Sequence, residues 1–188
     1  GWMRIDDYCN GMISNWGSHL NDIVQWCNNS ERTGPVSVTG TGEFSKGLWN
    51  TVSKFNLEYE YADGVKLRYK IDRPYVRIEG TDGWLQADYG KGLSASSKDI
   101  LNSPIEADEV SYASTLEDKV DFLQAIKEGR ETLEPVEVGH RTVSLCQIGL
   151  IAAKLGRPLK WDPTKETFLD DNAADALLSR PTRGSWGI

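Results

Sequence analysis

The sequence predicts an α+β fold, a predominantly antiparallel open sheet with helices packed on one face. Three observations predict it. Apolar residues recur at helical spacing in one early segment, alternate with polar residues through a long middle stretch, and return to helical spacing towards the end. Strands gathered in one region and helices in others give segregated layers rather than alternating βαβ units.

A first helix is expected over about 17–28, where Leu20, Ile23, Val24 and Cys27 recur on one side. Residues 35–40 alternate as a strand, and Gly40-Thr41-Gly42 reads as a loop or bulge. Two strongly alternating runs follow, with Phe55, Leu57, Tyr59 and Tyr61 on one and Val65, Leu67, Tyr69 and Ile71 on the next. Both apolar sets hold odd positions, so they share a face only if paired residue numbers sum to an even number. A three-residue loop, Ala62-Asp63-Gly64, with Gly64 left-handed, meets that condition. It pairs Tyr61 with Val65, Tyr59 with Leu67, Leu57 with Tyr69 and Phe55 with Ile71. The opposite face then sets Glu60 against Lys66, Glu58 against Arg68 and Lys54 against Asp72, opposite charges in each pair.

Strands are expected over 75–79 and 83–89 around the tight connection Gly80-Thr81-Asp82, with a weaker one over 92–97. Ser114-Thr115-Leu116-Glu117 has the pattern of a capping box, opening a helix that carries Leu116, Val120, Leu123 and Lys127 on one face and stops at Gly129. A longer helix over 138–155 carries Val143, Leu145, Ile148, Leu150 and Ile151, enough to be largely buried, and ends at Gly156 with Pro158 beyond. Trp161 and Thr167-Phe168-Leu169 suggest a short extended segment, and 171–178 a last short helix.

A length of 188 residues suits one domain with its own core, and 39% apolar content with seven Trp and seven Tyr argues against disorder. A formal charge of −7 without a Lys/Arg cluster argues against a nucleic-acid partner. Cys9, Cys27 and Cys146 are scattered and form no C-x-x-C, which fits buried reduced thiols rather than a disulfide frame or zinc site. No apolar run approaches the roughly 18 residues of a membrane span. The opening Gly1-Trp2-Met3-Arg4 has no signal-peptide features, which for a fragment says nothing of the parent; a cytoplasmic parent is expected, an exported one the alternative. Neither G-x-G-x-x-G, a phosphate-binding P-loop nor G-x-S-x-G occurs, and two histidines are too few for a histidine-rich metal site.

The segment from Asn15 to Asp22 carries the most chemistry. His19 precedes Asp22 by three residues at a helix start, so both side chains occupy neighbouring positions on one helical face. An imidazole titrating near neutrality beside a carboxylate that orients it or stabilises its charge is the equipment of acid-base catalysis. His140, at the start of the long helix, is expected to be structural, and Asp162, before Pro163, a turn-former.

Five segments in order then point to a family: Trp-Gly-x-His-x-x-Asp in 16–22, Ile78-Glu79-Gly80-Thr81-Asp82-Gly83-Trp84, Gly139-His140-Arg141, the stretch 155–163, and Asp171-Asn172-x-Ala174 with Arg180-Pro181-x-x-Arg183 and Trp186. Together they strongly resemble the C-terminal domain of bacterial Gfo/Idh/MocA oxidoreductases over nearly the whole chain. The resemblance implies an N-terminal Rossmann domain, outside this chain, that holds NAD or NADP; no cofactor is expected on the chain itself. It places His19 on the family's histidine, which handles a proton beside the nicotinamide and the substrate hydroxyl. Asn15 falls where family dehydrogenases often carry Asp, and an amide accepts no proton at neutral pH. Arg4, Asp6, Tyr8 and Asn10 precede the motif and are expected on the substrate side. Arg183 and Trp186 are expected to pack against the domain or its partner.

The expected function is therefore the substrate-binding and assembly domain of an NAD(P)-dependent oxidoreductase acting on a sugar, cyclitol or derivative. The isolated chain is expected to be inactive. A homo-oligomer, a dimer by expectation, would pair through the polar sheet face that carries Lys54, Glu58, Glu60, Lys66, Arg68 and Asp72. The alternative is a binding or oligomerisation module that kept the fold without redox turnover, for which Asn15 is the sequence argument.

Overall fold

The computed structural model describes residues 1–107, 109, 117–181 and 184–185. Ser114, Thr115 and Leu116 of the expected capping box, and Arg183 and Trp186, lie outside the described residues. The chain forms two compact units, Gly1–Arg73 with His140–Ile188, and Pro74–Gly139.

The first unit opens with a 3-10 turn, Trp2–Arg4, followed by α1 (Met12–Asn15) and α2 (Gly17–Cys27). Strands β1 (Ser37–Phe44), β2 (Val52–Glu60) and β3 (Lys66–Lys70) come next. The second unit contains β4 (Tyr75–Glu79), β5 (Trp84–Asp88), β6 (Gly92–Ala95), α3 (Lys98–Leu101) and α4 (Asp118–Glu128). Helix α5 (Val136–Leu155) leads back into the first unit, which ends with β7 (Leu159–Asp162), β8 (Thr167–Phe168) and α6 (Asn172–Asp175).

The first unit's sheet has the order β3-β2-β1-β7-β8, antiparallel at every pairing. The expected β2–β3 register is observed: Leu57 faces Tyr69, Tyr59 faces Leu67, and Gly64 takes φ 87°, the left-handed turn position the pairing rule requires. Phe55, Leu57 and Tyr59 are buried with Leu67, Tyr69, Val38, Leu159, Trp161 and Phe168, and join Leu145, Ile148, Leu150 and Ile151 of α5 in one core. The intervening β2 and β3 residues, Lys54, Asn56, Glu60, Lys66, Arg68 and Lys70, are exposed. One face therefore packs helices and the other is polar.

Some side-chain expectations are corrected. Lys54 bonds Glu43 at 3.1 Å rather than Asp72, because the β1–β2 register sets Glu43 directly opposite it. Lys66 crosses diagonally to Glu58 at 3.6 Å, and Ile71 lies beyond the end of β3, exposed. Gly40 and Gly42 form no loop but sit inside β1. A β-carbon at Gly40 would strike the backbone oxygen of Asn56, so the residue is small because two strands approach closely there. Trp161 and Phe168 belong to two strands that extend the sheet rather than one segment. The helix expected over 171–178 is confined to α6, with Asp171 as N-cap accepting from the Ala174 amide at 3.1 Å.

The second unit's sheet, β4-β5-β6, is separate from the first, so the expectation of one open sheet becomes two. The connection over 80–82 is as expected, with the Gly80 amide donating to the Gly83 carbonyl at 2.8 Å. Helix α4 stops at left-handed Gly129 but begins at Asp118, with Glu117 as an N-cap whose side chain makes no capping bond. Its apolar stripe does not face a core: Val120 and Leu123 are exposed and only Ala125 is buried. In α5, Val143 is likewise exposed while Leu145, Ile148, Leu150 and Ile151 are buried. Among the described residues, no helix is long and apolar enough to cross a membrane.

Candidate functional site

Helices α1 and α2 are joined by Trp16, itself helical at φ −76° and ψ −24°. The amides of His19 and Leu20 both donate to its carbonyl, at 3.2 and 2.9 Å. The buried face of α2 is not the apolar stripe the spacing suggested, since Ile23 and Cys27 are exposed. Buried instead are Gly17, Asn21 and Gln25, four residues apart on one side of the helix. A β-carbon at Gly17 would fall 2.5 Å from the Cys146 Sγ and 3.1 Å from the Tyr69 hydroxyl, so glycine lets the helix start press onto α5. Asn21 Nδ2 donates to Cys146 Sγ at 3.5 Å, and Gln25 Oε1 accepts from the Tyr61 hydroxyl at 2.7 Å. Burial pushes the Cys146 thiol up to about 12, so it stays neutral.

His19 lies about 160° round the helix from Asn21, taking 3.6 residues per turn, and is exposed. Its ring meets Trp16 edge-on, centroids 5.9 Å apart. Among the described residues no hydrogen bond joins it to Asp22. Asp22 instead accepts a hydrogen bond from the buried Thr142 hydroxyl of α5 at 3.0 Å. Burial holds the Asp22 carboxyl above its ordinary range, opposed by the Thr142 hydrogen bond and, more weakly, by the charge of His19. Helix α5 thus fixes the carboxylate.

The other expected site residues divide. Asn15 donates from Nδ2 to Met3 Sδ at 3.0 Å. Asn10 is buried and accepts from Arg180 at 2.9 Å, while Asp6 is held by Lys154 at 3.2 Å. Arg4 and Tyr8 are exposed. His140 Nε2 lies 2.8 Å from Glu166, and Asp162 accepts from the Thr164 and Lys165 amides at 2.9 and 3.0 Å, as a turn-former does. Sequence reasoning missed Thr142, which has no local signal because its partner is 120 residues away. It also missed Trp49, whose ring lies 5.3 Å under the Arg4 guanidinium. Among the described residues no group of three or more His, Cys, Asp or Glu side chains is placed to hold a metal.

At the start of α2, two backbone amides are not free for a dinucleotide's phosphates. The α2 N-terminus is the start nearest His19, and there the His19 and Leu20 amides are already bonded to Trp16 while Gly17 is buried against Cys146.

The chain's fold is shared with solved oxidoreductases. The aldose-aldose oxidoreductase from Caulobacter crescentus, complexed with glycerol, superposes with a TM-score of 0.64 at 15% identity, covering 84% of this chain and 50% of that one. Levoglucosan dehydrogenase, in complex with NADH and L-sorbose, gives 0.62 at 14% identity over 85% and 52%. GenD2 from gentamicin A biosynthesis, in complex with NAD, gives 0.60 at 13% identity over 86% and 51%. The chain thus spans about half the length of these structures. No curated protein matches the sequence. A family model described as the oxidoreductase family, C-terminal alpha/beta domain, matches residues 2–188, and the chain belongs to that Gfo/Idh/MocA family as a C-terminal domain.

Proposed function

We propose that this chain is the substrate side of an NAD(P)-dependent oxidoreductase acting on a sugar, cyclitol or related polyol, with the nucleotide held by a Rossmann domain outside it. The observation that carries the proposal is the placement of His19. Its ring is presented to solvent from a helix pinned to α5 through Gly17, Asn21 and Asp22, which gives a mobile proton carrier a fixed address. When a secondary alcohol becomes a ketone, its carbon gives up a hydride, for which the nucleotide of the parent protein would be the acceptor, and the hydroxyl proton goes to a His19 ring nitrogen. The Asp22 carboxylate, anchored by Thr142, favours the resulting imidazolium. Asn15 can orient a hydroxyl but cannot exchange a proton with it. The sugar and polyol names among the structural neighbours support this substrate class.

The same reading makes the chain an assembly domain, pairing two copies through the polar sheet face. The test is turnover by the full-length protein with NAD and with NADP over a panel of aldoses, inositols and their derivatives. Oxidation of at least one such polyol, abolished by changing His19, is the expected result. Absence of turnover with an intact nucleotide site would favour instead the non-catalytic module, for which Asn15, unable to accept a proton, is the argument.

A further inference from the structure

Arg4 differs from six of the other arginines. Arg68, Arg77, Arg130, Arg141, Arg157 and Arg180 each reach a carboxylate. Among the described residues, the Arg4 guanidinium has no hydrogen-bond or ion-pair acceptor, in a chain with seven more acidic than basic residues. Its charge lies over the ring of Trp49, 5.3 Å to the centroid. A cation–π contact holds the guanidinium over the ring without using its N–H donors, which can still serve an anion. The platform is held from both sides: Thr51 donates its amide to the Arg4 carbonyl at 3.3 Å, and Asn50 Oδ1 accepts from the Asp6 amide at 2.8 Å. Trp49, and Trp2 two residues before Arg4, remain 53% and 62% exposed, large rings of the kind on which a sugar face can stack. The Asn15–Met3 bond joins this platform to the His19 motif.

We infer that Arg4 and Trp49 form an anion subsite, so that the substrate is a sugar derivative bearing a carboxylate or a phosphate. This rests on the substrate-side reading proposed above. A bidentate guanidinium contact to such a group discriminates against the neutral sugar by about tenfold or more.

The test measures KM in the full-length protein for D-glucose, D-gluconate and D-glucose 6-phosphate, and in parallel titrates tryptophan fluorescence with the same three compounds without turnover. One of the two anions should be preferred over glucose by about tenfold or more, and which one identifies the charged group. Arg4→Gln should collapse that preference, and Arg4→Lys, which keeps charge but loses the planar fork, should restore only part of it. Equal handling of charged and neutral sugars, or an Arg4→Gln protein with the preference intact, overturns the inference. Turnover without charge preference refutes the subsite and leaves the oxidoreductase reading standing. Charge-selective quenching lost in Arg4→Gln but no turnover does the reverse. Neither signal refutes both.

Discussion

The Thr142 hydroxyl donates a hydrogen bond to Asp22 across 120 residues of sequence, tying the carboxylate beside His19 to α5. Burial outweighs that bond and keeps the Asp22 carboxyl above its ordinary pKa of 3.8. A carboxyl with a raised folded-state pKa is the reverse of a salt-bridged one. Its ionisation costs stability, a cost absent below the unfolded pKa, growing as pH rises through the folded pKa, and complete above it.

Asp22→Asn removes that cost while the amide oxygen still accepts from Thr142. The variant should therefore melt at or above the parent temperature at pH 7, with the advantage vanishing as pH falls towards 3.8. Calorimetry over pH 4 to 8 checks this, and a variant that melts lower at pH 7 than at pH 4, relative to the parent, contradicts it.

The close approach of α5 to β2 gives a second test. A β-carbon at Gly149 would collide with the Tyr59 hydroxyl, which donates to the Leu145 carbonyl at 3.1 Å. Gly149→Ala should cost about 1 to 3 kcal/mol by overpacking. In a Tyr59→Phe background the collision loses its nearest atom, so the same substitution should cost less, and a double-mutant cycle by urea unfolding measures the difference. Additive costs would refute the contact.

Thiol chemistry separates the cysteines. Cys146 is fully buried and neutral, with Asn21 donating to its sulfur, whereas Cys27 is exposed. The expectation of buried thiols thus holds at Cys146 and fails at Cys27. In native protein a maleimide should leave Cys146 unmodified until denaturant is added; mass spectrometry of peptides from labelled native protein reads this directly.

What the sequence revealed depended on whether apolar pattern and local geometry agreed. The β2–β3 register was legible because odd-numbered apolar residues and a left-handed glycine both demanded the same pairing. Helix α2 was legible as a helix but not in its orientation, because it buries Gly17, Asn21 and Gln25, whose partners Cys146 and Tyr61 lie far away in sequence. The apolar spacing of α4 gave one face but not its burial, since Val120 and Leu123 are exposed. At the site, His19 and Asp22 could be singled out from spacing, but Thr142 and Trp49 depend on contacts between segments far apart in sequence and carry no local signature.

Assembly through the polar sheet face would place Glu58, with its carboxyl held low by Arg68 and Lys66, among mixed charges. Pairing of this kind weakens as salt screens it, with a Debye length of about 10 Å at 0.1 M falling to about 3 Å at 1 M. Light scattering should therefore show a dimer at low salt that dissociates as salt rises; a monomer throughout contradicts the proposal.

The account rests most on His19, and one preparation of full-length His19→Asn decides it. The side chain is exposed, its ring set against Trp16, and so carries little of the fold. Turnover should fall by about two to four orders of magnitude, the usual worth of acid-base catalysis, with melting temperature and nucleotide affinity unchanged. A variant that melts early but turns over polyol at the parental rate in the cold would contradict the assignment.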